Sequence, residues 1–212
     1  MKNRLYKSVL VFSMVLMFAA ILFLRYSEYP ELENFRGQEY NLEIYDRDGV
    51  LIKIKPLTNG LRRIYRPLSE IPDIVEQIFI LTEDSSFYLH PGFDPAAVIR
   101  ALYQNKTSGR IVSGASTISM QLARIISGKT PGYKGKLIEI FNAIRLESRL
   151  GKREILELWL NNIPFSFQVE GVPAASLKFL GRDINFLDIE STLVLAVIPR
   201  SPASMNPIRN RD

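Results

Sequence analysis

Residues Phe79–Pro95 read FILTEDSSFYLHPGFDP. The question raised by this stretch is why two carboxylates end a buried helix and are followed by aromatic residues. An apolar run typical of a buried helix stops at two adjacent carboxylates, Glu83 and Asp84, before aromatic residues and the only histidine, His90. A carboxylate half-buried among aromatic rings is suited to general acid or base chemistry, whereas an ordinary acidic helix end is the alternative. We interpret His90 as a structural hydrogen-bonding residue rather than a catalyst.

The composition excludes several classes of site. The chain has 212 residues, enough for one sizeable domain with appendages, and no cysteine, so it can form neither a disulfide nor a thiolate metal site. A single histidine argues against a histidine-based zinc site. The net charge is +5, of which Lys2, Arg4 and Lys7 supply three, so nucleic acid is not expected as a partner.

Residues Ser8–Leu24 are uncharged and mostly large and apolar, which predicts a helix that can nearly cross a bilayer. Basic residues precede the span, so residues 1–7 are predicted to be a cytoplasmic tail. A cleaved signal peptide is the alternative, but small residues would then follow, and Arg25–Glu28 follows instead. We therefore predict an uncleaved anchor at 8–24, with the rest of the chain outside the cytoplasmic membrane; the family resemblance given below implies the periplasmic face of a bacterial inner membrane.

The remainder divides into a stalk with a β-hairpin, 25–60, and a mainly α domain, 61–212. Two alternating apolar runs flank Asp48-Gly49, which is a strong hairpin signal. Helical patterns dominate from Pro67 onward, and Asp94 is predicted to cap a helix that has Pro95 at its first position.

A Gly/Ser-rich loop runs into a helix within Ser108–Arg124, SGRIVSGASTISMQLAR. Its backbone N–H groups, with the hydroxyls of Ser116 and Thr117, could bind an anion at the helix N-terminus. A flexible loop with a Ser/Thr helix cap is the alternative.

Four cations follow without an intervening acid, namely Arg124, Lys129, Lys134 and Lys136. Glycines and a proline are predicted to prevent a single helix here, and the cations suit anionic lipid headgroups or a diphosphate; a solvated charge run is the alternative. Glu139 lies off a predicted apolar stripe of the next helix, Leu137, Ile140, Phe141 and Ile144, so from the pattern alone it is interpreted as a solvated acid.

Taken in order, these motifs resemble glycosyltransferase family 51, the peptidoglycan polymerase domain of class A penicillin-binding proteins and monofunctional transglycosylases. The similar segments are EDSSFYLHPGFD, GASTISMQLAR, GKLIE, KREILELWLN and LAVIPRSPASMNP, which span Glu83 to Pro207. The lead-in SGRIVSG and the segment NNIPF most resemble the 1C type. The resemblance implies a mainly α, lysozyme-like fold of two lobes, one of which dips into the bilayer.

The resemblance also implies a function. The substrate would be lipid II, polymerised into β-1,4-linked glycan with inversion at the donor anomeric carbon and release of undecaprenyl diphosphate. Glu83 would be the general base and Glu139 the second family carboxylate. Substrate-binding positions would be Asp84, Ser116, Thr117, Gln121, Arg124 and Lys136. The resemblance assigns no protein metal ligands and leaves open a divalent cation, Mg²⁺ or Mn²⁺; the other partners would be membrane lipids and cell-wall synthesis proteins.

Three positions depart from the family pattern: Gly135 replaces an arginine, Met120 replaces a glutamine, and Ser166–Gln168 replaces a Gly-x-Gly turn. Restoring arginine at position 135 is expected to preserve or raise activity. A catalytically weak, membrane-anchored peptidoglycan-binding scaffold and a lytic enzyme remain alternative functions. The absence of Ser-x-x-Lys argues against a transpeptidase nucleophile, and whether the chain is a complete enzyme or a piece of a longer one stays open.

Overall fold

The computed structural model describes residues 2–110 and 114–199, without the side chains of residues 2–5 and 102. In this part of the chain the α-helices are α1 (Lys2–Tyr26), α2 (Pro30–Arg36), α3 (Asp73–Glu83), α4 (Pro95–Ser108), α5 (Ile118–Ser127), α6 (Gly132–Glu147), α7 (Lys152–Leu160), α8 (Val172–Ala175) and α9 (Ile189–Val197). The strands are β1 (Leu42–Tyr45), β2 (Leu51–Lys55), β3 (Arg62–Arg63) and β4 (Val169–Glu170). The predicted mainly α architecture is confirmed. The last predicted motif lies outside the described residues beyond residue 199.

The predicted hairpin is present, because β1 and β2 pair antiparallel around the Asp48-Gly49 turn. The Asp46 carboxylate accepts hydrogen bonds from the backbone N–H groups of Asp48 and Val50, and Gly49 has a φ of +78°, where glycine is favoured. The second sheet, in which β3 and β4 run parallel, was not predicted because strands of two residues leave no readable alternation.

The core is built where α5 packs against both α6 and α7 and α3 packs against α9. Trp159 of α7 and Phe79 of α3 are fully buried and meet edge to face, with ring centroids 6.0 Å apart. Because α5 contacts both α6 and α7, its side chains can interact with residues of either helix.

The face of α6 that points to the core differs from the predicted one. Leu137 and Phe141 are 68% and 51% exposed, whereas Glu139 is only 9% exposed. The buried positions are Gly135, Glu139, Ala143 and Leu146, which are also spaced at a helical period. The prediction of Glu139 as a solvated acid is therefore wrong, because small residues rather than large ones let α6 approach α5.

The stretch Arg124–Lys136 is not a single helix, as predicted, since α5 ends at Ser127 and α6 begins at Gly132. Gly135 lies inside α6, and a Cβ atom at this position would lie 1.8 Å from the carbonyl oxygen of Thr130. This glycine is therefore required for close packing at the start of the helix.

Helix α1 contains the one segment, Tyr6–Tyr26, that is long and apolar enough to cross a membrane among the described residues. The predicted stalk after it is not simply extended, because α2 forms there and Tyr29 and Leu32 are buried against the domain. The predicted domain boundaries stay a prediction.

The end of α1 is tied to the end of α6 through Arg149. Its guanidinium donates from Nε and Nη2 to the Leu24 carbonyl at 3.0 and 2.7 Å, and thereby satisfies an oxygen in the last turn of α1. Arg145 lies 4.2 Å from the centre of the Tyr29 ring. Burial, together with the neighbouring charge of Arg145, lowers the pKa of Arg149.

Candidate active site

Glu83 is the last residue of α3 and is half-buried at the edge of a cavity of about 190 Å³. The cavity is also lined by Ser116, Thr117 and Arg100. The side-chain amide of Gln121 donates a hydrogen bond to Glu83 Oε2 at 2.8 Å. A carboxylate in a polar cavity with a neutral donor is well placed to accept a proton from a bound hydroxyl group.

Asp84 is held inside the protein. Its carboxylate is buried and contacts His90 Nε2 at 2.9 Å, and it accepts a hydrogen bond from the backbone N–H of Ile118 at 3.0 Å. Because the N–H of Gly92 donates to His90 Nδ1, the hydrogen of the neutral ring lies on Nε2 and points to Asp84. The structural role predicted for His90 is confirmed. Substrate binding by Asp84 stays a prediction, and this geometry favours a positioning role.

The predicted anion site at the N-terminus of α5 is partly filled by the protein itself. Asp84 takes up the first N–H of the helix, and Thr117 caps it by accepting from Met120 N at 3.1 Å while donating to the Gly92 carbonyl at 2.6 Å. Thr117 is 2% exposed, so the structure supports the alternative of a helix cap for this residue.

Asp94 caps α4, as predicted. Its carboxylate accepts from the backbone N–H of Ala97 at 3.0 Å and from the Ser86 hydroxyl at 2.7 Å. These two hydrogen bonds, that from Ala97 first, lower the pKa of Asp94. The final acid of the FILTEDSSFYLHPGFDP stretch therefore stabilises the loop and the helix at the cavity that Glu83 also lines.

The second carboxylate lies in a cationic group. Lys136 Nζ is 3.0 Å from Glu139 Oε2 and 2.6 Å from Ser116 Oγ, and Arg124 Nε is 3.7 Å from Glu139 Oε1. Lys129 and Lys134 are exposed. We call Ser116, Arg124, Lys136 and Glu139 the cation cluster.

One face of α5 connects the two halves of the site. Gln121 reaches Glu83, and Arg124, three residues later on the same face, reaches Glu139. Ser116 lines the cavity beside Glu83 and also contacts Lys136. The predicted base and the predicted diphosphate-binding cations are thus linked through the same face of α5 and through Ser116. The roles of these residues stay predictions.

Three residues near the site were missed by sequence reasoning. Arg100 of α4 lines the cavity, Trp159 donates to Gln121 Oε1 at 3.2 Å, and Lys152 donates to the His90 carbonyl at 2.8 Å. Lys152 and Trp159 lie within the KREILELWLN motif, which could have indicated them. Arg100 carried no such signal.

The departures from the family pattern have different structural settings. Met120 is 1% exposed and packs in the core, so an apolar residue suits that position. Phe167 and Gln168 have φ values of 59° and 55°, so the left-handed backbone is kept without glycine. Among the described residues, no three His, Asp or Glu side chains are grouped to hold a metal ion, so the divalent cation stays a prediction.

Comparison with known proteins tests the family resemblance. The family model described as Transglycosylase matches residues 50–212. Penicillin-binding protein 1C of Escherichia coli (strain K12) is 37% identical over 71% of this chain and 20% of its own length. Penicillin-binding protein 1A of Vibrio cholerae serotype O1 is 35% identical over 95% of this chain and 25% of its own length.

Penicillin-binding protein 1A of Escherichia coli (strain K12) is 39% identical over 81% of this chain and 20% of its own length. The chain therefore spans about a fifth to a quarter of the length of these curated relatives. A crystal structure of Penicillin-Binding Protein 1A from Haemophilus influenzae aligns with a TM-score of 0.39, at 21% identity over 82% of this chain and 16% of that chain.

The family match covers most of the 212 residues and includes all five motifs, from Glu83 to Pro207. It confirms the resemblance to glycosyltransferase family 51 and, with the mainly α architecture, the predicted lysozyme-like fold class. The chain belongs to the transglycosylase family.

Proposed function

We propose that this chain is a peptidoglycan glycosyltransferase that polymerises lipid II into β-1,4-linked glycan strands. The observation that carries the proposal is the position of a half-buried carboxylate, Glu83, beside the cation cluster, with one face of α5 reaching both. Family membership and the relatives named penicillin-binding proteins support it. The proposal concerns the part of those longer proteins that this chain spans.

In the proposed reaction Glu83 accepts the proton of the 4-hydroxyl group of the acceptor sugar. The hydroxyl oxygen then attacks the anomeric carbon of the donor, and the bond from that carbon to the lipid diphosphate breaks with inversion. Gln121 supports the base by donating to Oε2. A positioned general base of this kind contributes about 10²–10⁴-fold to the rate.

The departing diphosphate gains negative charge as its bond to the sugar breaks. Lys136 and Arg124 would stabilise that charge, with Glu139 holding both cations in place. The first turn of α6 carries no acid, although an acid is favoured at a helix N-terminus. A cationic start to this helix is therefore better explained by an anionic ligand than by helix stability.

The membrane placement is part of the same proposal. Residues 8–24, within the apolar segment Tyr6–Tyr26, would be the single-pass anchor. Lys2, Arg4 and Lys7 precede residue 8 and favour a cytoplasmic N-terminus, with the domain on the outer face. Close to the cation cluster, α6 exposes the apolar side chains of Tyr133 and Leu137, 94% and 68% exposed. Apolar rings and aliphatic groups beside lysines suit contact with headgroups and acyl chains.

The test is to incubate the detergent-solubilised chain with labelled lipid II and to separate the products by length. We expect glycan strands from the wild-type chain and none from Glu83→Gln. Binding of lipid II without strands would instead favour the scaffold function, and shortening of added glycan strands would favour a lytic enzyme. Either result would overturn the proposal.

A further inference from the structure

The chain contains one tryptophan, Trp159, and its indole nitrogen is linked to the proposed base through one intervening side chain. Trp159 Nε1 lies 3.2 Å from Gln121 Oε1, and Gln121 Nε2 lies 2.8 Å from Glu83 Oε2. Trp159 is fully buried in α7, Gln121 lies on α5, and Glu83 ends α3. Three helices that are separate in sequence therefore meet in one line of hydrogen bonds.

The chemistry of these groups determines which end of the Gln121 amide faces Glu83. An indole N–H can only donate, so the amide oxygen must face Trp159. The amide nitrogen is then directed at the carboxylate, which can only accept when it is ionised. The reversed amide would place a donor against the indole N–H and an oxygen against Glu83, leaving a buried donor unsatisfied.

We infer that Trp159 is a positioning residue that acts through Gln121 to hold Glu83 in the orientation needed for catalysis. This inference rests on the proposed function and adds a specific source of orientation to it. The amide of Gln121 gives the carboxylate one directional hydrogen bond. This hydrogen bond limits the orientations that the Glu83 carboxylate can adopt.

Packing is the competing role for Trp159, because its ring also meets Phe79 edge to face in the core. Trp159→Phe removes the N–H and keeps an aromatic ring, and Gln121→Met removes the amide and keeps a side chain of similar length. If the hydrogen-bonded line carries the effect, the two substitutions remove the same interaction and their effects do not add.

The first experiment needs no activity, because a single tryptophan produces a single indole ¹H–¹⁵N resonance. We would record it in the full chain, labelled with ¹⁵N-tryptophan in detergent, for the wild type, Glu83→Gln and the matched control Glu139→Gln. Glu139 is bound by Lys136 and Arg124 rather than by Gln121. The resonance is expected to shift in Glu83→Gln and to stay in place in Glu139→Gln; no shift, or equal shifts, would overturn the inference.

The second experiment measures kcat and KM for lipid II in Trp159→Phe, Gln121→Met and the double variant. Trp159→Phe is expected to lower kcat by about two- to tenfold, the effect of one neutral hydrogen bond, with little change in KM. In the Gln121→Met background the same change should lower kcat by less than about twofold. Fully additive losses would assign Trp159 to packing alone. If the wild type produces no glycan, the proposed function fails, while the resonance still tests the hydrogen-bonded line.

Discussion

Glu83 and Glu139, the two carboxylates contacted by the same face of α5, differ in the side chains that surround them. Glu83 is half-buried at the C-terminal end of α3, where the helix dipole disfavours negative charge, and its donor is the neutral amide of Gln121. Glu139 is 9% exposed within α6 and contacts two cations, Lys136 and Arg124. Glu83 thus lies at a polar cavity, whereas Glu139 lies between two basic side chains.

This difference in surroundings indicates that Glu83 and Glu139 have different roles. A carboxylate between two cations orients them and satisfies their charge when no ligand is bound. Glu83 lines a polar cavity and is oriented by the amide of Gln121. We therefore expect Glu83 to act on the acceptor hydroxyl and Glu139 to act through the cations that face the diphosphate.

The largest effect is expected at Glu83. Glu83→Gln keeps the shape of the side chain but cannot accept the hydroxyl proton, so the rate of lipid II polymerisation should fall by about 10²–10⁴-fold or more. Glu139→Gln is the matched control and should lose roughly 10- to 100-fold, the effect of weakening charged hydrogen bonds. Rates at saturating lipid II measure both. Equal losses would show that the two carboxylates do not differ in role.

A smaller effect is expected in the cation cluster. Lys136→Ala should lower kcat by roughly one to three powers of ten, since the lost contact stabilises charge that develops on the leaving group. Lys134 lies on the same helix and is exposed, so Lys134→Ala serves as the control and should change kcat little. Small, similar changes in both variants would mean that the segment is only a solvated basic surface.

The structure argues against the expectation that arginine at position 135 preserves or raises activity, because the backbone leaves no space for a side chain there. A Cβ atom there would lie 1.8 Å from the Thr130 carbonyl oxygen, so Gly135→Arg should lower the free energy of unfolding by roughly 1–3 kcal/mol or more. Gly135→Ala introduces the same Cβ without a charge and should lose a similar amount. Denaturant midpoints measure both changes, and a variant Gly135→Arg that is as stable as wild type would show that the segment around Thr130 can move aside.

The smallest effect concerns Asp94, the structural acid of the stretch that contains Glu83. Asp94→Ala should lower the free energy of unfolding by about 1 kcal/mol through loss of the α4 cap. Because folding lowers the pKa of Asp94, its ionic contribution is present above the unfolded value of 3.8 and is lost as the pH falls through the lower folded value. Unfolding midpoints between pH 2 and pH 7 would measure this.

Asp94→Asn separates the two contributions of this residue. Asparagine caps a helix about as well as aspartate, so Asp94→Asn should retain most of the stability at pH 7. Its stability should vary less with pH below 3.8 than that of the wild type. An unchanged pH dependence would mean that another group causes it.

The sequence by itself determined the local features and the order of the motifs. The Asp48-Gly49 hairpin and the Asp94 cap depend on residues that are close in the chain, so short-range backbone preferences and hydrogen bonds settle them. Glu83 and Glu139 could be identified from the sequence because each lies in a motif of a few consecutive residues.

Only the tertiary structure decided which side chains meet. The buried face of α6, the need for glycine at position 135 and the line from Trp159 through Gln121 to Glu83 all depend on how distant segments pack. The pattern of apolar residues misassigned α6 because two faces of that helix are spaced at a helical period, and contact with α5 selects the face with small residues. The sequence around a residue shows which chemical group it carries. The side chains that orient this group come from segments that are distant in sequence, so only the folded structure identifies them.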